Sequence, residues 1–220
     1  MILSLLIEIL SIIRLFKKKV SIKSNPFAVL KLNVFIFLIS IVLLGVAIVY
    51  EVNFFNYEYP IPYSEREFID WSKFKGLNKP HKTLNGSREY AFISTEMDLE
   101  ITDNAIIIET LFHPSRSYVF NQAIADNNLL THELYHLHIT ELWSRKLRKK
   151  ISQMEDKFNQ NLIIEEVRNH KKGERNMQLN YDEKTYHSYL LQVQRSWQNT
   201  IDSQLISLKK FSNPNIKLND

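Results

Sequence analysis

From Val34 to Tyr50 the chain runs seventeen residues without a charge, interrupted only by Ser40 and Gly45. As a helix, such a run has no polar face to turn towards water, and at about 1.5 Å per residue it reaches the lower edge of a bilayer-spanning length. Residues 34–51 are therefore expected to form a transmembrane anchor. Phe54, Phe55, Tyr57 and Tyr59 follow at once, in the manner of the aromatic belt at a membrane interface.

Charge sets the orientation of that anchor. The formal net charge is +4, yet residues 1–33 alone hold Arg14, Lys17, Lys18, Lys19, Lys23 and Lys31 against Glu8, which leaves about −1 for the rest. Basic residues before the apolar run place the N-terminal side in the cytoplasm and residues 52–220 outside it. Residues 1–16, with polar positions at Ser4, Glu8 and Ser11, read as a helix lying in the interface or as a short first span, so the chain is single-pass or two-pass. Gly45-Val46-Ala47 has the small residues of a cleavage site, but apolar residues continue to Tyr50, which favours an uncleaved anchor. Nucleic-acid binding finds no support, because the part beyond residue 33 has no excess of phosphate-neutralising charge. The run Arg145-Lys146-x-Arg148-Lys149-Lys150 is expected to be the solvated, C-terminal end of a helix. The chain has no cysteine, which excludes disulfides and thiol catalysis.

Past the anchor the pattern is that of an α+β fold. Residues 52–67, containing Tyr59-Pro60-Ile61-Pro62-Tyr63, read as an extended linker. Residues 68–211 read as the folded domain and 212–220 as a flexible tail. Arg88–Ser94, Asp98–Ile101, Ala105–Phe112 and Ser117–Phe120 are rich in β-branched or aromatic residues, with turn-formers between them, and are expected strands. From Ala123 onward long stretches lack Gly and Pro and should be helical. Breaks are expected near Lys171-Lys172-Gly173 and Asn180–Asp182. Strands first and helices after argue α+β.

The first helical stretch carries the chemistry. Asp126, Asn127 and Asn128 are N-cap candidates, and Leu130, Leu134, Leu137, Leu142 and Leu147 mark an apolar stripe. On that helix lies His132-Glu133-x-x-His136. Residues four apart share a face, so both imidazoles can reach one metal ion, and Glu133 beside the first is placed to take a proton from an attacking water. A catalytic zinc site ordinarily has three protein ligands. His138 and Glu141 point away around the helix, at roughly 200° and 140° from His136. A third ligand must come from later in the chain, where Glu165, Glu166, His170, Asp182, Glu183 and His187 are the candidates.

Trp71-Ser-Lys-Phe74-Lys-Gly76, Phe112-x-Pro114 with Ser117-Tyr118-Val119, the Leu129-Leu-Thr-His-Glu-x-x-His stretch, Ile139-Thr-Glu141-Leu-x-x-Arg145-Lys-Leu147-Arg148, Tyr181-Asp182-x-x-Thr185-x-His187 and Gln194-x-x-Trp197 together resemble the bacterial "domain of unknown function 922" family over about residues 70–206. That family is held to consist of zinc-dependent proteases of zincin-like fold: a small sheet followed by long helices. The resemblance implies Zn²⁺ bound by His132, His136 and His187, with Tyr181 and Asp182 shaping the site. The motif's own chemistry adds the expectation of a peptide or protein substrate, with Glu133 as base and Tyr181 or Tyr186 as the donor to the oxyanion. The chain departs from the family pattern at Leu134-Tyr135, Leu137-His138, Tyr118 and Ser188. Those departures motivate an alternative expectation: a catalytically inactive zincin-like envelope protein that binds or scaffolds.

Overall fold

The computed structural model describes residues 26–51, 53–77, 90–120, 125–157 and 159–217. The expectations for residues 1–25, for the start of the Arg88–Ser94 strand and for the last three residues lie outside this set. The chain divides into two units, residues 1–50 and 51–220.

The first unit contains the N-terminal part of helix α1 (Pro26–Glu51), which is long and apolar enough to cross a membrane. Its side chains are exposed nearly all round, from Leu32 at 57 % to Phe37 at 64 % and Val42 at 63 %. A helix apolar and exposed on every side is suited to lipid rather than to water.

The second unit is mixed helix and sheet. Its strands are β1 (Ile61–Pro62), β2 (Ala91–Phe92), β3 (Thr95–Ile101), β4 (Ala105–Phe112), β5 (Tyr118–Val119) and β6 (Asn215–Lys217). Its helices are α2 (Asn127–Ser152), α3 (Gln160–Thr185) and α4 (Leu191–Ser207). All pairings are antiparallel. β4 holds β3 along one side and β1 and β6 along the other, while β2 and β5 form a separate ribbon. Along β4 every second residue is buried (Ile106, Ile108, Thr110 and Phe112), the period of a strand with one face on a core. That face meets α2 and the start of α3: Ile106 and Ile108 pack with Leu147 and Ile151 of α2 and Ile163 of α3, and Phe112 packs with Leu137 and Phe74.

Helix α2 begins where the sequence indicates, the Asp126 carboxylate accepting from the Leu129 N–H at 2.8 Å. Its basic run behaves differently from expectation. Lys149 and Lys150 are exposed in the last turn, but Arg148 is only 3 % exposed and Arg145 is half-buried. The Arg148 guanidinium donates to the Ile108 carbonyl, the Phe211 carbonyl and Glu141, at 2.9, 2.9 and 3.0 Å, and Arg145 donates to Glu141 at 2.7 Å. The buried Glu141 carboxylate therefore has two guanidinium partners, which offset the cost of removing the charges from water.

Three further expectations are corrected. Residues 53–67 are no free linker: β1 pairs with β4, and the Asn53 amide donates to the Lys75 and Ser115 carbonyls. Residues 212–217 are no free tail, because β6 completes the sheet and Ile216 is buried in the core. Helix α3 continues unbroken through both expected breaks. At Gly173 the reason is packing. A Cβ there would lie 2.2 Å from the Trp143 ring, so the glycine is the slot into which α2 sets its tryptophan.

That slot yields a prediction. Helix propensity alone would make Gly173→Ala stabilising by about 1 kcal/mol. The displaced indole, also held by Met177 and by Lys146 over its face, reverses the sign to a loss of about 1–2 kcal/mol. Urea unfolding followed by far-UV circular dichroism reads that sign.

Candidate metal centre

Helices α2 and α3 lie antiparallel, so each turn forward on one meets a turn back on the other. His132 faces Asp182, His136 faces Gln178, and Thr140 faces Glu174. The four-residue step of an α-helix, repeated on both partners, lines up three successive polar pairs along the seam. The uppermost is the candidate centre.

There the Nε2 atoms of His132 and His136 stand 3.1 and 2.9 Å from one Asp182 carboxylate oxygen. His132, His136 and Asp182 form a cluster whose potential ligand atoms lie within 4.8 Å of one another, and it could hold a metal ion. In a tetrahedral site with bonds of ~2.0–2.1 Å the ligand atoms are roughly 3.3 Å apart. A few tenths of an ångström of outward movement would thus admit an ion among these three atoms. Two imidazoles and one carboxylate are a donor set suited to zinc and leave a fourth position open. Glu133 is 5 % exposed and next in the chain to His132.

The second ring nitrogen of each histidine is treated differently. Gln178 turns its amide NH₂ to the His136 carbonyl at 3.0 Å and to Glu174 at 3.0 Å, so its own oxygen is the atom facing His136 Nδ1 at 2.6 Å. That oxygen can only accept, which places a proton on Nδ1 and leaves Nε2 for the Asp182 side. Among the described residues, His132 Nδ1 is buried with no hydrogen-bond partner. Its ring is instead held by stacking on Tyr181, centroids 4.7 Å apart and planes 15° from parallel.

Electrostatics distinguish the two rings. Burial opposes charge on His136, but the Asp182 carboxylate, helped by Glu133 and Gln178, outweighs it and raises the ring to about 9. Burial holds His132 below its ordinary value, with His136 adding to the effect against the pull of Asp182. Against its own burial, Asp182 is held far below the usual carboxylate range by His136 and His132. Without metal, the seam therefore holds a protonated His136 against an ionised Asp182.

Of the third-ligand candidates, the cluster takes Asp182. His187, favoured by the family resemblance, stands just outside it, Nδ1 3.7 Å from the same Asp182 oxygen and the side chain 39 % exposed. The cause is the length of α3, which runs through Asp182 and carries that carboxylate on the face turned to α2. His187 falls after the helix end, in a turn where Tyr186, His187 and Ser188 all have positive φ. Glu165 and Glu183 are exposed. Glu166 lies 3.5 Å from Lys150 at the far end of the helix pair, and His170 packs on Trp143. His138 points away as expected and meets the Tyr63 hydroxyl at 2.6 Å.

Tyr181 is corrected. It is wholly buried among Ile139, Leu142, Ile201 and Leu205, beneath both imidazoles. Its ring lies against both imidazoles as a platform. Tyr186 is 66 % exposed. Gln178 and Glu174 were not among the sequence candidates. Their signal is the row Glu174, Gln178, Asp182, spaced by four on one helix face.

A cleft of about 280 Å³ opens beside the centre, lined by Tyr90, Val119, Leu129, His187 and Tyr189 among others. It brings the β2–β5 ribbon, the first turn of α2 and the turn after α3 around one space. Comparison of the chain with protein-family models, curated proteins and solved structures returned no match.

Two outcomes follow for metal binding. Metal takes the neutral form of His136, so binding releases about one proton at pH 7. Affinity then weakens by about tenfold for each pH unit below roughly 9; calorimetry in buffers of differing ionisation enthalpy counts that proton. If the cluster binds a divalent metal, equilibrium dialysis is expected to show tight binding abolished by Asp182→Ala, nearly unchanged by His187→Ala and weakened about 10–100-fold by Gln178→Leu. Loss in the His187 variant with retention in the Asp182 variant would reverse the ligand assignment.

Proposed function

We propose that this chain is a membrane-anchored, extracytoplasmic zinc-dependent metallopeptidase. The observation carrying the proposal is the convergence of His132, His136 and Asp182, from two helices, beside the buried Glu133 carboxylate. A polar cluster of this kind is costly to bury unless its groups are paired or bind an ion. The family resemblance supports the same reading, and a zincin-like arrangement, with a small antiparallel sheet beside the metal-bearing helix, is the fold it implies. The apolar α1 and the basic residues before it support an anchor with the domain outside the cytoplasm.

A zinc ion held by these three residues would supply Lewis acidity to a peptide carbonyl and lower the pKa of water at the site. The chain's own residues supply the rest. Glu133 takes a proton from the oxygen of the attacking water and delivers it to the nitrogen of the leaving amine. Gln178 fixes the His136 ring through Nδ1, and Tyr181 fixes the plane of His132. The cleft between the β2–β5 ribbon and His187 receives the polypeptide.

The test separates metal binding from catalysis. Purified full-length protein is expected to bind about one zinc and to hydrolyse peptides. Glu133→Gln keeps the zinc while hydrolysis falls by about 10²–10⁴-fold. Undiminished hydrolysis in that variant removes Glu133 as the base. Stoichiometric zinc without hydrolysis of any peptide would favour the non-catalytic binding role.

A further inference from the structure

The geometry points to a second functional surface: residues 54–59 form a lipid-docking face that seats the domain on the bilayer and brings its cleft to membrane-proximal polypeptide segments. Four aromatic side chains stand out from the fold there, Phe54 at 64 %, Phe55 at 85 %, Tyr57 at 55 % and Tyr59 at 83 % exposed. They pair edge to face, Phe54 with Phe55 and Tyr57 with Tyr59, with centroids 5.7 Å apart in each pair. Exposed aromatics at this density are unfavourable in water and suited to the headgroup region, where a ring can be half wet and half apolar.

The occupant is argued from where these rings sit and how their backbone is held. Phe54 follows Glu51, the last residue of the apolar helix, by three positions, so the segment cannot leave the neighbourhood of the membrane. Nor can it swing free of the domain. Asn53 is 7 % exposed, adopts a left-handed conformation (φ 50°), and donates its amide to the Lys75 and Ser115 carbonyls at 2.9 and 3.2 Å. The buried Ser115 hydroxyl accepts from the Glu58 N–H at 2.7 Å and lies 3.2 Å from the Asn56 carbonyl. Lys75 adds an ion pair to Glu58. The backbone is thus stapled to the domain while the aromatic side chains are left outward, which is the arrangement of a face with an external occupant.

The cleft is tied to that face by a short path. Val119, which lines the cleft, follows Ser115 by four residues, at most about 14 Å of extended chain. The substrate class inferred here, polypeptide segments close to the bilayer surface, rests on the metallopeptidase reading; the docking itself does not.

Because the chain has no cysteine, single labels can be placed at will. Full-length Phe55→Cys, Tyr59→Cys and, for reference, Asn169→Cys on exposed α3 are each labelled with an environment-sensitive fluorophore and reconstituted in phosphatidylcholine vesicles. The expected result is blue-shifted emission at 55 and 59, with quenching by lipids spin-labelled near the headgroup and loss of access to aqueous iodide, while 169 stays accessible. Equal iodide access at all three positions overturns the docking, whatever the enzyme does. The combined variant Phe54→Ser, Phe55→Ser, Tyr57→Ser, Tyr59→Ser is expected to hydrolyse soluble peptide as before and lose most hydrolysis of a lipid-tethered peptide; equal hydrolysis of both overturns the substrate class. Lipid quenching without hydrolysis in any protein leaves the docking standing and defeats only the metallopeptidase reading.

Discussion

The antiparallel register of α2 on α3 is the constraint from which the rest of the domain follows. Residues four apart on each helix meet in succession, so one packing choice brings His132 to Asp182, His136 to Gln178 and Thr140 to Glu174. Further along, it sets Trp143 over Gly173, and Lys150 approaches Glu166 at the far end. A slip of one turn would move every pair at once. The indole in its glycine slot opposes such a slip through shape, and the polar pairs oppose it through hydrogen bonding. The two resist for different physical reasons, so the ligand geometry does not depend on either alone.

The polar seam is coherent because its charges are matched where they are buried. Asp182 sits between two imidazoles, and one of them, His136, carries the balancing proton. On the opposite side of α2, Glu141 is matched by Arg145 and Arg148, and Arg148 reaches on to the backbone of β4 and of the C-terminal turn. One helix therefore presents a centre suited to a cation on one face and a self-neutralised ionic knot on the other. The knot binds the sheet and the C-terminal turn to the helix that carries the candidate ligands.

Much of this is legible in the amino-acid sequence itself. The alternation in Ala105–Phe112 specifies a one-faced strand, and Asp126 specifies where α2 starts. The spacing of His132 and His136 specifies that they share a face. What escaped the sequence depends on partners distant along the chain. Gly173 looks like a helix break until Trp143 is known to fill it. Arg148 looks solvated until the Ile108 and Phe211 carbonyls are seen to converge on it. Asp182 and His187 cannot be ranked by spacing, since the choice turns on whether α3 extends five residues further. Tyr181 reads as a polar donor because its hydroxyl is visible in the sequence and its burial is not.

The turn that ends α3 has a mechanical meaning. Tyr186, His187 and Ser188 occupy left-handed backbone one after another, and none is glycine; each such residue holds about 1–3 kcal/mol of strain when its surroundings over-determine it. What holds them are N–H bonds from His187 to the Asp182 carbonyl and from Leu190 to the Thr185 carbonyl. The residue whose carboxylate is the candidate ligand therefore also latches, through its backbone carbonyl, a strained turn at the rim of the cleft. Rigidity at the centre and stored tension at its edge thus meet in one residue, Asp182, through its carboxylate on one side and its backbone carbonyl on the other.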